Sequence, residues 1–139
     1  MIKIVLDTNI IISAALSPSG NCARIINLLA DTKQAALFYA KPILAEYQLV
    51  LSRPQFGISP QIQEEIMEAI NAEGKELKPI PSDITFIDES DRIFYDTAQE
   101  AGAILITGNK KHYPDENFIM TPVEFLRMQN KIGHLKETH

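Results

Sequence analysis

The sequence has 139 residues, the size of one compact domain, and it leaves no room for a second domain. Its content of 45% hydrophobic and 22% charged residues is ordinary for a globular protein and excludes disordered, collagen-like and coiled-coil chains. Because 18 acidic residues outnumber 13 basic ones and give a formal net charge of -5, the composition excludes a protein that coats nucleic acid by bulk electrostatic attraction.

The N-terminal half of the sequence alternates strand patterns with helical patterns. The run Ile2–Leu6 is rich in β-branched residues and is followed by an acidic residue, which is typical of a strand covered on both faces. The elements predicted after it are a short buried helix over Ile10–Leu16, a helix capped by Asn21, a strand over Ala36–Tyr39 and a helix from Pro42 to Leu51.

The C-terminal half continues the same alternation. Ser59 and Pro60 begin the clearest helix of the sequence, which ends at Gly74. Further predicted elements are a strand over Lys78–Ile80, a helix from Glu89 to Ala101 capped by Asp88, strands over Ala103–Thr107 and Asn117–Met120, and a helix that starts at Pro122. Alternating strands and helices predict an α/β fold, with helices on both faces of a parallel sheet.

The organisation of the chain is predicted to be simple. We expect one domain over residues 1–132 and a polar C-terminal tail over residues 133–139. The one cysteine, Cys22, cannot form an intramolecular disulfide and lies on the apolar stripe of its helix, which favours a small buried side chain. Asp7 interrupts the first apolar run too early for a signal peptide or a membrane span, so we predict a soluble cytoplasmic protein with no membrane partner.

Polar residues that follow strands are the first candidates for function, because ligands of an open parallel sheet bind beyond the carboxyl ends of its strands. Asp7 and Asn109 occupy such positions. Glu46 and Asp91 lie on the borders of apolar helical stripes, whereas Asp96 is predicted to face solvent. Structural interpretations stay open for two of them, since Asp7 can cap the next helix and Asp91 can interact with a helix dipole.

Three carboxylates at one edge of a sheet, those of Asp7, Glu46 and Asp91, would repel one another unless a cation joined them. Oxygen ligands suit Mg²⁺ or Mn²⁺, and the sequence lacks the cysteine and histidine spacing of a zinc site. A carboxylate-bound Mg²⁺ can activate water and neutralise charge on a phosphodiester, so phosphodiester hydrolysis is the chemistry that this set favours. The sequence has no Walker A, Gly-x-Gly-x-x-Gly or Gly-x-Ser-x-Gly motif to support another reaction.

The ordered motifs of the sequence resemble those of PIN-domain proteins, in the branch of toxin components of toxin–antitoxin systems. The stretches that carry the resemblance are Val5–Asn9, Glu46 before Val50–Pro54, Asp88–Asp91 and Ala103–Asn109. Together they extend over nearly the whole chain, and their order and spacing make the match specific. The family implies an α/β/α sandwich around a central parallel sheet and a Mg²⁺- or Mn²⁺-dependent endoribonuclease.

The resemblance assigns roles by position. It implies that Asp7, Glu46 and Asp91 are the acidic metal ligands and catalytic residues. The usual fourth acidic position of the family is Asn109 here, whose amide oxygen can bind a metal but brings no negative charge. We therefore expect a one-metal site or a weaker metal affinity, and Asp115 in the same loop is an alternative donor.

Two further groups of residues would serve such a site. The resemblance implies supporting roles for Thr8, Asn9 and Thr107. Local positive charge for binding RNA phosphates would come from Arg53, Lys110, Lys111 and His112. Two interpretations of Tyr113 stay open, because its ring can stack on an unpaired base or anchor the loop to the core.

Partners follow from the same resemblance. It implies an RNA substrate, a homodimer and a small antitoxin protein. A second class of function stays open, a non-catalytic PIN-like module that binds RNA or a protein partner, because Asn109 replaces an acidic residue.

Overall fold

The computed structural model describes residues 1–29 and 35–138 of the chain. Within them, five strands alternate with six α-helices, and no helix is long and apolar enough to cross a membrane. The strands are β1 (Ile2–Leu6), β2 (Ala35–Tyr39), β3 (Gly74–Glu76), β4 (Ile104–Ile106) and β5 (Ile119–Met120). The helices are α1 (Thr8–Leu16), α2 (Asn21–Asn27), α3 (Lys41–Leu51), α4 (Pro60–Glu73), α5 (Arg92–Ala101) and α6 (Pro122–Thr138).

The strands form one parallel sheet in the order β3-β2-β1-β4-β5. From β1 the chain winds outward through β2 to β3, and it then crosses back to β4 and β5 on the other side of β1. The direction of winding therefore reverses between β1 and β4. In open parallel sheets, this reversal opens a crevice at the carboxyl ends of the strands, where ligands bind.

Helices cover both faces of the sheet. Right-handed crossovers place α1–α4 on one face and α5 on the other, because their connections run in opposite directions along the sheet. Accordingly, α5 packs on β1, β2 and β4, while α4 packs on β2 and β3 and α6 packs on α2. The core between the layers includes the fully buried side chains of Ile4, Leu6, Leu37, Phe94 and Phe125. The predicted three-layer α/β/α sandwich with a central parallel sheet is confirmed.

The third strand lies earlier in the chain than the predicted Lys78–Ile80. Helix α4 runs directly into β3 at Gly74, with no loop between them. A Cβ atom at Gly74 would lie 2.5 Å from the carbonyl oxygen of Ile70 and 2.5 Å from the ring of Tyr39, so this close junction requires glycine. Pro79 lacks the N–H group that a ladder position needs, which explains why the predicted stretch is not a strand.

The ends of the helices mostly follow the capping signals of the sequence. Ser59 caps α4 as predicted, and its Oγ accepts a hydrogen bond from the N–H of Ile62 at 3.3 Å. Gly102 ends α5 as predicted, with a φ of 66° that favours glycine. Helix α2 differs, because Gly20 is its N-cap and Asn21 is already helical.

Helix α6 continues through the segment predicted as a tail. It starts with the predicted capping box, in which Thr121 and Glu124 exchange hydrogen bonds of 2.9 Å and 3.2 Å. The helix extends to Thr138, so the backbone of the predicted tail is helical as far as it is described, and His139 lies outside the described residues. The domain boundary at residue 132 stays a prediction, and it falls inside α6.

Asp96 is buried, contrary to the prediction that it faces solvent. Its side chain is 4% exposed, and its Oδ2 accepts a hydrogen bond from the N–H of Ser82 at 3.1 Å. On the same helix, the guanidinium of Arg92 donates to the carbonyl oxygens of Ser82 and Ile84. The segment between β3 and α5 therefore covers a side of α5 that helical periodicity alone assigns to water.

A buried tyrosine joins α3 to the central strand. Tyr47 is fully buried, and its hydroxyl donates a hydrogen bond to the carbonyl oxygen of Leu6, the last residue of β1. Burial raises the pKa of Tyr47, and the charges of Asp7 and Glu46 raise it further. The phenol therefore stays protonated and holds α3 against the end of β1. This contact also positions Glu46, the preceding residue on α3, near the end of β1.

Replacing Tyr47 with phenylalanine keeps the ring but removes the hydroxyl that donates a hydrogen bond to the carbonyl oxygen of Leu6. We expect Tyr47→Phe to lower the free energy of unfolding by about 1–3 kcal/mol, the cost of leaving a buried polar group unsatisfied. Urea denaturation measures this change. Tyr39→Phe is the control, because the Tyr39 hydroxyl makes no hydrogen bond within the described part of the chain; an equal loss in both variants would contradict the role of Tyr47.

Candidate active site

Two buried polar side chains meet where the winding of the sheet reverses. Asp7 directly follows β1, and Thr107 directly follows β4. The strands are in register there, since the N–H of Asp7 donates to the carbonyl oxygen of Ile106 at 3.0 Å. Thr107 Oγ1 donates a hydrogen bond to Asp7 Oδ2 at 2.8 Å. The reversal thus brings residues from opposite ends of the sequence into direct contact.

Three donors orient the carboxylate of Asp7. The N–H of Thr8 donates to Oδ1 at 2.7 Å, while Thr107 and the hydroxyl of Tyr113, at 3.0 Å, both donate to Oδ2. Asp7 is also the N-cap of α1, which confirms the structural interpretation of this residue, while its role as a metal ligand stays a prediction. Its carboxylate is 7% exposed and has little freedom to rotate.

Glu46 reaches the same edge of the sheet from α3. The hydroxyl of Thr8 donates a hydrogen bond to Glu46 Oε2, while the N–H of the same residue donates to Asp7. Thr8 therefore lies between the two carboxylates and connects them. The half-buried Glu46 side chain places a second negative charge beside the first.

Asp91 adds the third carboxylate from the short 3-10 helix that precedes α5. Its Oδ2 is buried and has no hydrogen-bond partner among the described residues. Burial first, and then the charges of Asp7, Asp88 and Glu46, raise the pKa of Asp91 to about 6, against a lowering effect of His112. His112 Nδ1 lies 3.7 Å from that Oδ2, too far for a hydrogen bond.

The carboxylates of Asp7, Glu46 and Asp91, here called the carboxylate cluster, suit a divalent cation in charge and in donor type. A cation would supply the partner that the buried oxygen of Asp91 lacks, and it would offset the repulsion that raises the pKa of this group. Within the described part of the chain, no three Asp, Glu, His or Cys side chains are already arranged as a metal site. Since hydrogen bonds hold Asp7 in place, the adjustment to a cation falls to the other two side chains.

The loop after β4 contains the other residues assigned to the site. Asn9 Oδ1 accepts a hydrogen bond from the N–H of Gly108 at 3.0 Å, which ties α1 to this loop. Thr107 Oγ1 accepts a hydrogen bond from the N–H of Asn109 at 3.0 Å and donates one to Asp7. Thr107 therefore connects the loop to the Asp7 carboxylate. The side chain of Asn109 is exposed and makes no hydrogen bond to the carboxylate cluster within the described residues.

The predicted phosphate-binding residues differ in their surroundings. Lys110 Nζ lies 3.1 Å from Glu124 Oε1, so its charge is paired, whereas Lys111 is exposed. Arg53 follows the C-terminal end of α3, two residues after Leu51. The assignment of Arg53 and the loop lysines to phosphate binding stays a prediction.

Tyr113 anchors its loop and does not offer its ring to a base. It is 7% exposed, and its ring packs edge-on against Phe86 with centroids 6.3 Å apart. Burial and the charge of Asp7 raise the pKa of Tyr113, which keeps the phenol protonated as a donor. Sequence reasoning missed its bond to Asp7, because no periodic pattern signals a contact between residues so far apart in the chain.

Comparisons with known proteins match this fold. A family model described as PIN domain matches residues 3–111. An uncharacterized protein of Methanocaldococcus jannaschii is 32% identical over 114 residues, which cover 78% of this chain and 72% of the relative.

Two solved structures also resemble the chain. VapBC2 from Rickettsia felis, bound to a DNA fragment from its promoter, matches with a TM-score of 0.56 and 19% identity over 86% of this chain and 97% of the matched chain. A domain of a functionally unknown protein from Methanocaldococcus jannaschii matches with a TM-score of 0.52 and 17% identity over 81% of this chain and 82% of its own. At these identities the two structures support the fold.

The raised pKa of Asp91 predicts a pH-dependent stability. An aspartate ordinarily has a pKa of 3.8, whereas that of Asp91 in the fold is about 6. Between these values the native protein binds more protons than the unfolded chain, so its stability falls as the pH rises through them. In metal-free buffer we therefore expect Asp91→Asn to melt at a higher temperature than the wild type at about pH 7, and at the same temperature near about pH 4.

The matched control is Glu89→Gln, for which the opposite sign is expected. The hydrogen bond from Arg92 lowers the pKa of Glu89, so its ionised form stabilises the fold and its neutral substitute lowers the melting temperature at neutral pH. Thermal denaturation followed by circular dichroism measures both variants. The assignment is contradicted if Asp91→Asn melts below the wild type at neutral pH.

Removing the hydroxyl of Tyr113 tests its bond to Asp7. Tyr113→Phe keeps the packing of the ring, and we expect it to lower the free energy of unfolding by about 1.5–3 kcal/mol, the range for hydrogen bonds to charged groups. The change is measured by urea denaturation in the native background and in Asp7→Asn. A smaller loss in the second background supports direct coupling, whereas equal losses speak against it.

Proposed function

Because the chain belongs to the PIN-domain family, we propose that it is an endoribonuclease that hydrolyses RNA phosphodiester bonds with Mg²⁺ or Mn²⁺. The matched residues 3–111 include Asp7, Glu46 and Asp91. PIN domains are in general nucleases, which supports the reaction class. Beyond the reaction class, we propose that the substrate is RNA and that the metal ion is Mg²⁺ or Mn²⁺.

The observation that carries the proposal is the buried, unpartnered oxygen of Asp91 beside two further carboxylates. These charges lie close enough to raise the pKa of Asp91, and no cationic side chain among the described residues forms a hydrogen bond with its Oδ2. Oxygen donors of this kind favour a hard divalent cation over zinc. Such a cation also reverses the local charge, which allows an acidic site to bind an anionic phosphodiester.

The residues of the chain would divide the work of this site. Asp7, Glu46 and Asp91 would hold the ion, which supplies a Lewis acid that activates water and neutralises charge on the phosphodiester. Thr107 and Tyr113 keep Asp7 in one orientation through hydrogen bonds to its Oδ2. Asp7 receives more hydrogen bonds than the other two carboxylates. It would therefore fix the position of the ion, and the side chains of Glu46 and Asp91 would adjust to it.

Asn109 favours a second candidate function. It stands where the family usually has a fourth acidic residue, and its exposed side chain adds no charge to the carboxylate cluster. A module that binds RNA or a protein partner without cleavage would need no tightly bound metal ion. This alternative is separated from the nuclease by the metal titration described below.

We extend the proposal to a biological role as the toxin of a toxin–antitoxin pair. The support is the order of the sequence motifs, together with the shared fold of VapBC2 from Rickettsia felis. A small antitoxin partner, a homodimer and a cytoplasmic location belong to this proposal. Finding a reading frame for a small DNA-binding protein next to the gene would support the pairing.

The nuclease proposal predicts metal-dependent cleavage that depends on the carboxylate cluster. We expect the native protein to cut a labelled single-stranded RNA in Mn²⁺, and Asp7→Asn to reduce the rate more than about 100-fold, since loss of an outer contact alone costs about 10- to 100-fold. Asn109→Asp is expected to increase cleavage because it restores a negative charge. Gel electrophoresis of the RNA follows the reaction.

A calorimetric titration with Mn²⁺ gives an independent readout of the same site. We expect Asp91→Ala to weaken Mn²⁺ binding by more than about tenfold, and the control Glu100→Ala, an exposed acid on α5, to leave it unchanged. A native protein that binds no Mn²⁺ would support the interaction module. If neither the native protein nor Asn109→Asp cuts any RNA, the nuclease proposal fails.

A further inference from the structure

A groove lies at the carboxyl ends of β2 and β3. It encloses about 370 Å³, which is within the range of about 300–1,000 Å³ that is usual for small-ligand sites. Its walls combine two lysines with five apolar residues, namely Lys41, Lys78, Ala40, Pro42, Leu77, Pro79 and Ile93. We call this feature the lysine groove.

The lysine groove adjoins the carboxylate cluster through two shared helical segments. Pro42 and Glu46 are four residues apart on α3, so they lie on the same face of that helix. Ile93 lies in the first turn of α5, two residues after Asp91. Because β2 is the direct neighbour of β1, the groove lies on the β2–β3 side of the strand end that carries Asp7.

The charges of the groove suit an anionic ligand. Lys41 and Lys78 are exposed, and neither forms an ion pair or a hydrogen bond with another described residue. Lys110 provides the contrast, since its charge is paired with Glu124. Glu76 also lines the groove but pairs with neither lysine, so the two positive charges outnumber the one negative charge.

The combination of apolar walls and unpaired lysines matches the two halves of a nucleotide. An apolar wall can take the flat face of a base, while lysines bind the phosphate as point charges. A base can enter the groove only when it is unpaired and unstacked, which requires single-stranded RNA. With Pro42 one helical turn from Glu46 and Ile93 two residues from Asp91, the occupant of the groove would be a near neighbour of the cleaved bond along the strand.

We propose that the lysine groove binds a nucleotide of single-stranded RNA that flanks the phosphate cleaved at the carboxylate cluster. The base lies against Pro42, Pro79 and Ile93, and the phosphate is bound by Lys41 and Lys78. The inference rests on the proposed function and narrows its substrate class to RNA that is unpaired on this side of the cleaved bond.

The test measures RNA binding without cleavage, by fluorescence anisotropy of a labelled single-stranded RNA in metal-free buffer. We expect Lys41→Gln/Lys78→Gln to bind about tenfold more weakly, and the slope of log affinity against log salt to become shallower by about 0.7, the contribution of the one single-strand phosphate that the two lysines bind. The control pair Lys3→Gln/Lys131→Gln removes the same charge elsewhere. Lys3 lies near the amino end of β1, whereas the groove lies at the carboxyl ends of its strands, and Lys131 is exposed on α6.

Two further measurements test the sign of the charge and the state of the RNA. Glu76→Gln is expected to tighten binding, because it removes the negative charge of the groove. A double-stranded RNA of the same sequence is expected to compete poorly, since its bases cannot enter. Equal salt slopes for the two lysine pairs, equal competition by the duplex, or no RNA binding by the native protein would each overturn the inference.

Cleavage is scored separately, so that the two proposals fail independently. If the native protein binds RNA through the groove but cuts none, the groove is supported as an RNA-binding site and the nuclease proposal is overturned. A native protein that cuts RNA while the groove variant binds like its control overturns the groove alone.

Discussion

Electrostatic repulsion among Asp7, Glu46 and Asp91 is the constraint to which much of the fold responds. Three carboxylates at one edge of a sheet raise the free energy of the native state unless donors or a cation compensate them. Asp7 receives three hydrogen bonds, and Glu46 receives one from Thr8. Asp91 receives none at its buried Oδ2, and burial together with the charges of Asp7, Asp88 and Glu46 raises its pKa to about 6.

Two of the three donors to Asp7 come from a part of the chain that only the winding of the sheet brings to it. Thr107 and Tyr113 both lie in the loop after β4, whereas Thr8 directly follows Asp7 in the sequence. Tyr113 is held in turn by Phe86, whose ring also packs against Tyr95 with centroids 5.5 Å apart. The segment between β3 and α5 thus supports the site through Phe86 and also contributes the carboxylate of Asp91. Net charge has little bearing on this arrangement, because a few buried charges outweigh many exposed ones.

Prediction from the sequence was accurate where a local pattern has one physical outcome. Apolar runs predicted β1 and β4, and Ser59 and Gly102 predicted helix ends, because burial and capping act over a few residues. It was wrong for Asp96, which the preceding segment covers, and for the third strand, which a close junction at Gly74 moves earlier. It missed the bond from Tyr113 to Asp7, since contacts across a hundred residues leave no periodic trace.

The sequence by itself determined the α/β alternation and the candidate acids, because strand-end and stripe-border positions follow from periods of two and of 3.6 residues. Only the tertiary structure decided which side chains accompany these acids. The reversal between β1 and β4 placed Thr107 and Tyr113 on Asp7 and left Arg53 at the far end of α3. The pairing of β2 with β3 also brings Lys41 and Lys78 to one groove. Periodicity specifies which way a side chain faces, whereas its neighbours depend on how strands that are distant in sequence pair in the sheet.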